Sequence, residues 1–328
     1  MEVIDKWFAI VNPISGKGKG LLDWPMVSKL LRDNGIMPDF VFTEHRYHAI
    51  ELTVEAISKG YRRIMAVGGD GTMHEVVNGI FIQKAVPTTD ILVAAISVGT
   101  GNDWTRMYGI PRQYAEAIQA IVKGHSILQD VAVASYYESL YNQHRYVANN
   151  AGCGLDAVVN RRCFRMKERG YRGRLLYLWS LVQSVFTYRS TRMKIWVDDQ
   201  LVWNSNALSA TFGIGKYNGG GMMQLPYAEP DDGLLDLTVI GRLSRLEIVR
   251  HAHALFNGKI YEVKKVGHWQ GRKIRIESVP TVEFEIDGEP SGEQPIDVEI
   301  LEKAIHIIVS EQFIRQREKS AAKQISKD

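Results

Sequence analysis

The sequence predicts an α/β domain followed by an antiparallel β domain, and two patterns in its 328 residues indicate this fold class. In the first third, short apolar runs alternate with runs of helical spacing, which is the pattern of a parallel sheet with helical crossovers. Beyond about residue 130, apolar and polar residues alternate with a period of two. That period is typical of an antiparallel sandwich or barrel, and the chain length suits two domains.

The first domain is predicted to contain four strands and three helices. Asn12-Pro13 ends the first strand, and Gly35 and Gly60 follow the first two helices, as residues that break regular structure do. The strands are predicted at residues 7–11, 40–42, 64–67 and 91–96, and the helices at 24–34, 48–58 and 73–82.

The second domain is predicted to be mainly β, with two helices and a polar helical tail. Because the pattern changes after about residue 130 and the residues after Ser310 are polar and charged, we expect domains at residues 1–130 and 131–310 and a charged tail at 311–328. Its strands are predicted at residues 193–197, 235–239, 273–276 and 282–286, and its helices at 175–186 and 245–256.

Composition limits the class of protein. Hydrophobic residues make up 45% and charged residues 23%, as in globular proteins, and a net charge of +3 gives no basis for nucleic-acid binding. The N-terminus lacks the pattern of a signal peptide, and the apolar stretch 175–186 is shorter than the roughly 20 residues that a membrane span needs. We therefore expect a cytoplasmic protein whose membrane contact is peripheral, with Cys153 and Cys163 as inert free thiols.

The strongest functional signal is Gly68-Gly69-Asp70-Gly71-Thr72, between a predicted strand and a predicted helix. Glycines allow a tight turn and close approach of a ligand, and a helix N-terminus favours a phosphate. The Asp70 carboxylate suits a magnesium ion. The alternative is a glycine-rich turn in which Asp70 is only the N-cap of the helix.

A second glycine loop, Asn12-Pro13-Ile14-Ser15-Gly16, continues as Lys17-Gly18-Lys19-Gly20 and also follows a strand. It offers backbone donors, a hydroxyl and two ammonium groups to phosphates, but its spacing matches neither a Walker A loop nor the dinucleotide fingerprint. Taken alone, it favours a solvated turn. A third loop, Gly99-Thr100-Gly101-Asn102-Asp103, follows the fourth strand. Since all three loops end strands at one edge of a parallel sheet, that edge is predicted to bind the ligand.

Two acidic motifs lie in the second domain. Residues 230–236 contain three aspartates, which indicates either a divalent-cation loop or a β-turn leading into a strand. Glu285-Ile286-Asp287-Gly288-Glu289 contains the Asp-Gly signal of a hairpin, so an ordinary turn is an open alternative there as well.

Together these motifs resemble the diacylglycerol kinase catalytic-domain family of lipid kinases, whose relatives include sphingosine and ceramide kinases. The resemblance extends from Asn12 to about Ser310. The Gly68–Thr72 motif is shared with NAD kinases and phosphofructokinases, whereas the motifs at 99–103 and 230–236 narrow the resemblance to lipid kinases. It implies a Rossmann-like α/β nucleotide-binding domain, of the kind found in NAD and diacylglycerol kinases, and a C-terminal antiparallel β-sandwich.

The resemblance also implies roles for individual residues. Asp70 would act on a catalytic Mg²⁺ with support from Asp103, and Glu289 would be the general base. Asp232, with oxygens of Glu229 and Leu234, would hold a second Mg²⁺. Lys17 and Lys19 are added here as phosphate contacts. ATP contacts are implied for Asn12, Pro13, Ile14, Ser15, Gly16, Thr43, Gly68, Gly69, Asp70, Gly71, Thr72, Glu75, Gly99, Thr100, Gly101 and Asn102.

The implied reaction is ATP- and Mg²⁺-dependent phosphorylation of a lipid hydroxyl, with diacylglycerol, which would give phosphatidic acid, as the first candidate. One alternative is a NAD kinase-like enzyme, against which the motifs at 99–103 and 230–236 argue. The other is a non-catalytic nucleotide- or lipid-binding protein, against which Asp70, Asp103 and Glu289 argue. Phosphorylation of NAD would identify the first, and absence of ATP turnover the second.

Two kinds of partner are expected, a membrane surface and a second copy of the chain. Basic residues flanking an apolar helix suit an anionic bilayer, although a helix packed on the sandwich with a solvated basic rim is an open alternative. An exposed sandwich edge also suits pairing into a homodimer. The basic residues around the stretch 175–188 are Arg161, Arg162, Arg165, Lys167, Arg169, Arg172, Arg174 and Arg189.

Overall fold

The computed structural model describes residues 3–99, 102–138, 141–168, 180 and 183–325. The chain forms two compact units, one of Met1–Gln129 with Lys303–Asp328 and the other of Asp130–Glu302. The second unit begins at Asp130, next to the boundary expected at residue 130. It ends at Glu302 rather than at residue 310, because residues 306 and 307 pair with the sheet of the first unit.

The first unit is built on a parallel sheet, and the four strands and three helices predicted for it are all present. The strands are β1 (Ile4–Val11), β2 (Asp39–Phe42), β3 (Tyr61–Gly68) and β4 (Leu92–Ser97). Their order in the sheet is β2-β1-β3-β4. The helices are α1 (Ser15–Asp33), α2 (His48–Lys59), α3 (Asp70–Ile82), α4 (Asp103–Met107) and α5 (Tyr114–Lys123).

One face of this sheet packs against α1. Trp24, Val27 and Leu31 recur at helical spacing and are buried. They belong to the same buried cluster as Ala9 and Val11, two alternate residues of β1. This packing fixes the start of α1 next to the carboxyl end of β1.

The second unit consists mainly of antiparallel strands, as the period-two pattern predicted. The strands are β5 (Ser126–Glu138), β6 (Tyr141–Val147), β7 (Asn150–Gly154), β8 (Thr191–Val197), β9 (Gln200–Gly213), β10 (Tyr217–Asn218), β11 (Met222–Met223), β12 (Leu235–Gly241), β13 (Val266–Gly271), β14 (Lys273–Val279), β15 (Glu283–Ile286) and β16 (Glu289–Ile308). The helices include α6 (Leu155–Glu168) and α7 (Arg245–His251). Strands β7, β9, β8, β14, β16 and β15 pair in a closed ring, and β12 and β13 extend from β9.

The core of the second unit follows the alternation of its strands in most places. In β8, Met193, Ile195 and Val197 are buried while the residues between them are more exposed. Strand β12 differs, because all seven of its residues are buried. Its polar residues are accommodated by hydrogen bonds, for example from Thr238 Oγ1 to the Gln224 carbonyl at 2.7 Å.

The two helices predicted for the second unit are each observed in part. The helix predicted over 245–256 ends as an α-helix at His251 and continues as a 3₁₀ segment, Ala252–Leu255. The helix predicted over 175–186 lies largely outside the described residues, which show helix at 183–187. No helix in the described ranges combines the length and apolarity that crossing a bilayer requires. Cys153 and Cys163 are both buried thiols.

The end of the chain completes the first unit. His306 and Ile307 of β16 pair in parallel with Leu92 and Val93 of β4. The predicted terminal helix follows as α8 (Glu311–Ile325), and its Phe313 ring lies 5.5 Å from that of Tyr108. The fifth strand of this sheet therefore comes from the far end of the sequence.

Candidate functional site

Three loops meet at the carboxyl edge of the parallel sheet. Loop 1 is residues 12–20, loop 2 is residues 68–72, and loop 3 is residues 98–103. Asn12 Nδ2 donates to Thr72 Oγ1 at 3.1 Å, which joins loops 1 and 2. A Cβ on Gly16 would lie 3.2 Å from the Gly99 nitrogen, so loops 1 and 3 are in contact. The convergence predicted from the order of strands and loops is therefore present in the structure.

Loop 1 turns sharply before α1 becomes regular. Gly16, Lys17 and Gly18 have φ values of +61°, +67° and +88°, in the left-handed region, which a residue with a side chain such as Lys17 seldom adopts. A Cβ on Gly20 would lie 1.9 Å from the Asn12 carbonyl oxygen, so only glycine allows this approach to the end of β1. The helix predicted to start at residue 24 thus begins right after this turn.

Loop 2 leads directly into α3, which starts three residues before the predicted residue 73. The N-cap position is taken by Gly69, and Asp70 lies in the first turn. Asp70 Oδ1 accepts a hydrogen bond of 3.1 Å from the Trp104 backbone N–H, just after loop 3. The N-cap residue is therefore Gly69 rather than Asp70, and the Asp70 carboxylate contacts the neighbouring loop.

Loop 3 is described except for Thr100 and Gly101, whose predicted nucleotide contacts lie outside the described residues. Asn102 has a φ of +56°, and its Nδ2 donates to the Gly99 carbonyl at 3.1 Å. Asp103 is buried, with Arg106 Nε 3.7 Å from its Oδ1. The hydrogen bond from Asn102 thus links its part of the loop to Gly99, and the buried carboxylate of Asp103 lies at the start of α4.

Thr43 and Glu75 occupy different positions relative to these loops. Thr43 donates its backbone N–H to the Val11 carbonyl at 2.9 Å, next to loop 1. Both carboxylate oxygens of Glu75 accept backbone hydrogen bonds of 3.1 Å, from Tyr47 and Ala49 at the N-terminus of α2. Glu75 therefore stabilises the start of that helix, and its nucleotide contact stays a prediction.

The acidic loop before β12 is held by a residue that sequence reasoning missed. Asp130 donates its backbone N–H to the Pro230 carbonyl, and its Oδ2 accepts from the Gly233 N–H, both at 2.7 Å. Asp232 Oδ1 accepts from the Leu234 N–H at 3.0 Å, which is the turn geometry considered as an alternative. No local sequence signal connects Asp130 with a loop 100 residues later.

Several acidic residues surround Asp232. Burial raises the pKa of its carboxyl group, the Leu234 N–H opposes this, and repulsion from Asp236, Asp130 and Glu229 raises the pKa further. Asp236 itself is buried, with His268 Nε2 at 2.8 Å and Gln270 Nε2 at 3.1 Å from its two oxygens. Glu229 pairs with Lys216 at 3.2 Å.

Glu289 follows a tight hairpin between β15 and β16. Asp287 and Gly288 have φ values of +49° and +84°, and Ile286 pairs with Glu289, which is the geometry of a type I′ turn. The hairpin predicted from Asp-Gly is therefore present. The Asp287 carboxylate also accepts three backbone hydrogen bonds of 2.9–3.1 Å, from Ala148, Asn149 and Asn150.

A second buried carboxyl group supports the same hairpin. Glu285 is 1% exposed, and its Oε2 accepts from the Gly288 N–H at 2.7 Å. Burial raises the pKa of Glu285 well above its usual range; the Gly288 N–H opposes this, and the carboxylates of Asp156, Asp287 and Glu289 add to the rise. Glu285 therefore keeps its proton to a higher pH than an exposed glutamate does.

The raised pKa of Glu285 predicts a loss of stability in alkali. A carboxyl group whose pKa is higher folded than unfolded stabilises the protein below its unfolded pKa, and this contribution is lost as the pH rises through the folded pKa. Glu285→Gln keeps an acceptor for Gly288 and cannot ionise. We expect this variant to melt about 2–4 °C above the wild type at pH 8.5, with a smaller difference at pH 5.

Thermal unfolding followed by circular dichroism at both pH values measures this effect. Glu299→Gln, at an exposed position of β16, is the control and is expected to show no such pH-dependent difference. Equal melting temperatures of Glu285→Gln and wild type at pH 8.5 would contradict this expectation, because ionisation of Glu285 would then not lower the free energy of unfolding.

Comparison with known proteins identifies the family. Residues 6–134 match the sequence model of the diacylglycerol kinase catalytic domain, and residues 149–309 match that of the YegS C-terminal NAD kinase beta sandwich-like domain. The chain belongs to the diacylglycerol kinase catalytic-domain family. It is therefore a lipid kinase, a transferase whose substrates are a nucleotide and a lipid.

Relatives of this lipid kinase match along nearly their whole length. A diacylglycerol kinase from Mycobacterium tuberculosis is 25% identical over 306 residues, 93% of this chain and 95% of the relative. One from Staphylococcus aureus is 25% identical over 307 residues, 94% and 93% of the two chains. The crystal structure of a diacylglycerol kinase from Bacillus anthracis has a TM-score of 0.71 at 24% identity and covers 94% of this chain and 98% of its own. The predicted fold class, α/β followed by a β-sandwich, is confirmed.

Proposed function

We propose that this lipid kinase transfers the γ-phosphoryl group of ATP to a lipid hydroxyl with the help of Mg²⁺, and that diacylglycerol is the acceptor, giving phosphatidic acid. The proposal that ATP binds to this chain rests on the convergence of loops 1, 2 and 3 at one edge of the sheet. The choice of diacylglycerol rests on the names of the relatives from two genera. Since such lipids reside in bilayers, the proposal includes peripheral contact with a membrane.

The triphosphate would be bound by the glycine loops. Gly69 precedes the first turn of α3, whose N-terminal end is a favourable place for negative charge. Lys17 and Lys19 of loop 1 are exposed and can approach phosphate oxygens. Because phosphoryl transfer goes through a loose transition state, positioning and neutralisation of charge supply most of the acceleration.

The carboxylates fit the proposed magnesium ions. Carboxylate and backbone oxygens are the donors that Mg²⁺ takes, and Asp70 and Asp232 offer carboxylates whose Oδ1 atoms are positioned by backbone N–H groups. The raised pKa of Asp232, caused by burial and by neighbouring carboxylates, indicates surplus negative charge that a cation would relieve. When bound, Mg²⁺ would neutralise charge on the phosphate oxygens. Asp103 would support Asp70, and oxygens of Glu229 and Leu234 would complete the site at Asp232.

Glu289 would accept the proton of the attacking hydroxyl. It is half-buried and lies next to a hairpin that Asp287 and Glu285 hold by backbone hydrogen bonds. A side chain at the end of so constrained a turn has a well-defined position, as a general base requires. Its carboxylate would then return the proton to solvent after transfer.

Transfer of labelled γ-phosphate from ATP to a panel of lipids in mixed micelles tests the proposal. We expect labelled phosphatidic acid from diacylglycerol and no labelled product when Mg²⁺ is chelated. A different lipid product would correct the acceptor and keep the reaction. Labelled NAD in a parallel reaction without lipid, or activity that persists without a divalent cation, would contradict the proposal.

A further inference from the structure

Helix α7 carries an exposed apolar ridge between two arginines. At 3.6 residues per turn, Arg245, Val249, Leu246 and Arg250 follow one another around a single arc of the helix. Leu246 is 84% and Val249 69% exposed, and both arginines are exposed as well. This side of α7 therefore presents two aliphatic side chains flanked by two guanidinium groups.

The other side of α7 holds the helix in a fixed orientation. Ile248 packs against the buried cluster that contains Leu155 and Ile240. Ser244 and Glu247 form a capping box, in which the Ser244 N–H donates to Glu247 Oε2 at 2.7 Å and Ser244 Oγ accepts from the Glu247 N–H at 3.3 Å. The exposed ridge is thus preformed on a helix of only seven residues.

Phe186 extends the ridge. Its side chain is 53% exposed, the Arg245 guanidinium lies 5.5 Å from its ring, and Arg245 donates to its carbonyl at 2.8 Å. We call Phe186, Arg245, Leu246, Val249 and Arg250 together the α7 surface. The single acidic residue of α7, Glu247, is engaged by Lys265 Nζ at 2.8 Å, so this surface is positively charged.

We propose that the α7 surface docks the enzyme on an anionic bilayer. Aliphatic and aromatic side chains enter the boundary between headgroups and acyl chains, while the arginines stay at the level of lipid phosphates. A stable protein partner would need about 800 Å² from each side, roughly 20 residues or more, whereas a membrane needs only a few apolar side chains next to positive charge. The inference rests on the proposed function only in that its lipid acceptor resides in a bilayer.

This surface is distinct from the basic residues singled out in the sequence. Of those, Arg161 forms an ion pair with Glu283, and Arg162 donates to Thr187 at 2.7 Å. Residues 169–179 lie outside the described ranges. The contribution of α7 was missed because its exposed apolar residues, Leu246 and Val249, are only two and lie within a polar stretch, so that only their exposure reveals them.

Sedimentation with vesicles, without nucleotide, tests docking separately from catalysis. Vesicles of phosphatidylcholine with phosphatidylglycerol are expected to bind the wild type, and vesicles of phosphatidylcholine alone to bind it weakly. Leu246→Gln with Val249→Gln, and separately Arg245→Gln with Arg250→Gln, are each expected to weaken binding about tenfold or more. The arginine variant is also expected to lose most of the salt dependence.

Two matched double variants control for general effects. Ile82→Gln with Val122→Gln replaces exposed apolar residues on other helices, and Lys29→Gln with Lys59→Gln removes exposed cations. Both are expected to bind vesicles like the wild type, and all four variants to phosphorylate lipid normally in detergent micelles. Wild-type vesicle binding by the α7 variants, or a wild-type dimer that these variants dissociate, would overturn the docking proposal. Absence of wild-type kinase activity in micelles would instead contradict the proposed function.

Discussion

Glu289→Gln is expected to lower the turnover number about 10²- to 10⁴-fold while the fold is retained. Glutamine has the same shape as glutamate but cannot accept a proton, so the attacking hydroxyl would lose its base. The hairpin does not depend on this carboxylate, because Asp287 and Glu285 make the hydrogen bonds that fix it. The KM for ATP should change little, since the nucleotide is proposed to bind at loops 1, 2 and 3.

Steady-state kinetics with saturating lipid in mixed micelles measures this change. Glu293→Gln, at an exposed position of the same strand, is the matched control and should leave the turnover number within about twofold. Turnover close to that of the wild type in a well-folded Glu289→Gln protein would remove Glu289 from the role of base.

Asp70→Asn is expected to reduce the turnover number by at least about 10²-fold, because it removes a negative charge from the proposed magnesium site. The amide oxygen of asparagine can still accept the hydrogen bond that the Trp104 N–H donates to Asp70 Oδ1. The substitution therefore separates the charge of Asp70 from its structural contact. Residual activity should need a higher Mg²⁺ concentration for half-maximal rate.

Titration of the rate with Mg²⁺ at fixed ATP checks this expectation, with thermal unfolding to verify the fold. Asp90→Asn is the control, since Asp90 is exposed in a 3₁₀ segment of the same unit. An Asp70→Asn enzyme with the wild-type rate and the wild-type Mg²⁺ dependence would argue that Asp70 serves loop structure alone.

Much of the first unit could be predicted because its signals are local. The spacing of Trp24, Val27 and Leu31 predicts the buried face of α1, and Gly60 marks the end of α2. The meeting of loops 1, 2 and 3 follows from a topological rule, because parallel strands bring their carboxyl ends to the same edge. For this unit, sequence reasoning reached both the fold and the position of the candidate site.

Other features depend on contacts between distant residues and carry no local signal. Glu285 alternates with apolar neighbours, as a residue on a solvated face would, and yet the structure buries it. The Asp287 carboxylate binds amides 137–139 residues earlier in the chain. Glu75 follows the Gly68–Thr72 motif within α3, but its backbone partners lie at the start of another helix, 26 and 28 residues away.

The return of β16 to the parallel sheet has a consequence for how the protein is made. The edge of β4 that faces away from β3 is paired by residues 306 and 307, which are synthesised only after the whole of the second unit. Until they leave the ribosome, the nascent first unit carries an open sheet edge, the kind of edge that allows wrong pairing. The first unit in sequence is therefore the last to be closed, and a chain that stops short of β16 leaves that edge open for as long as it exists.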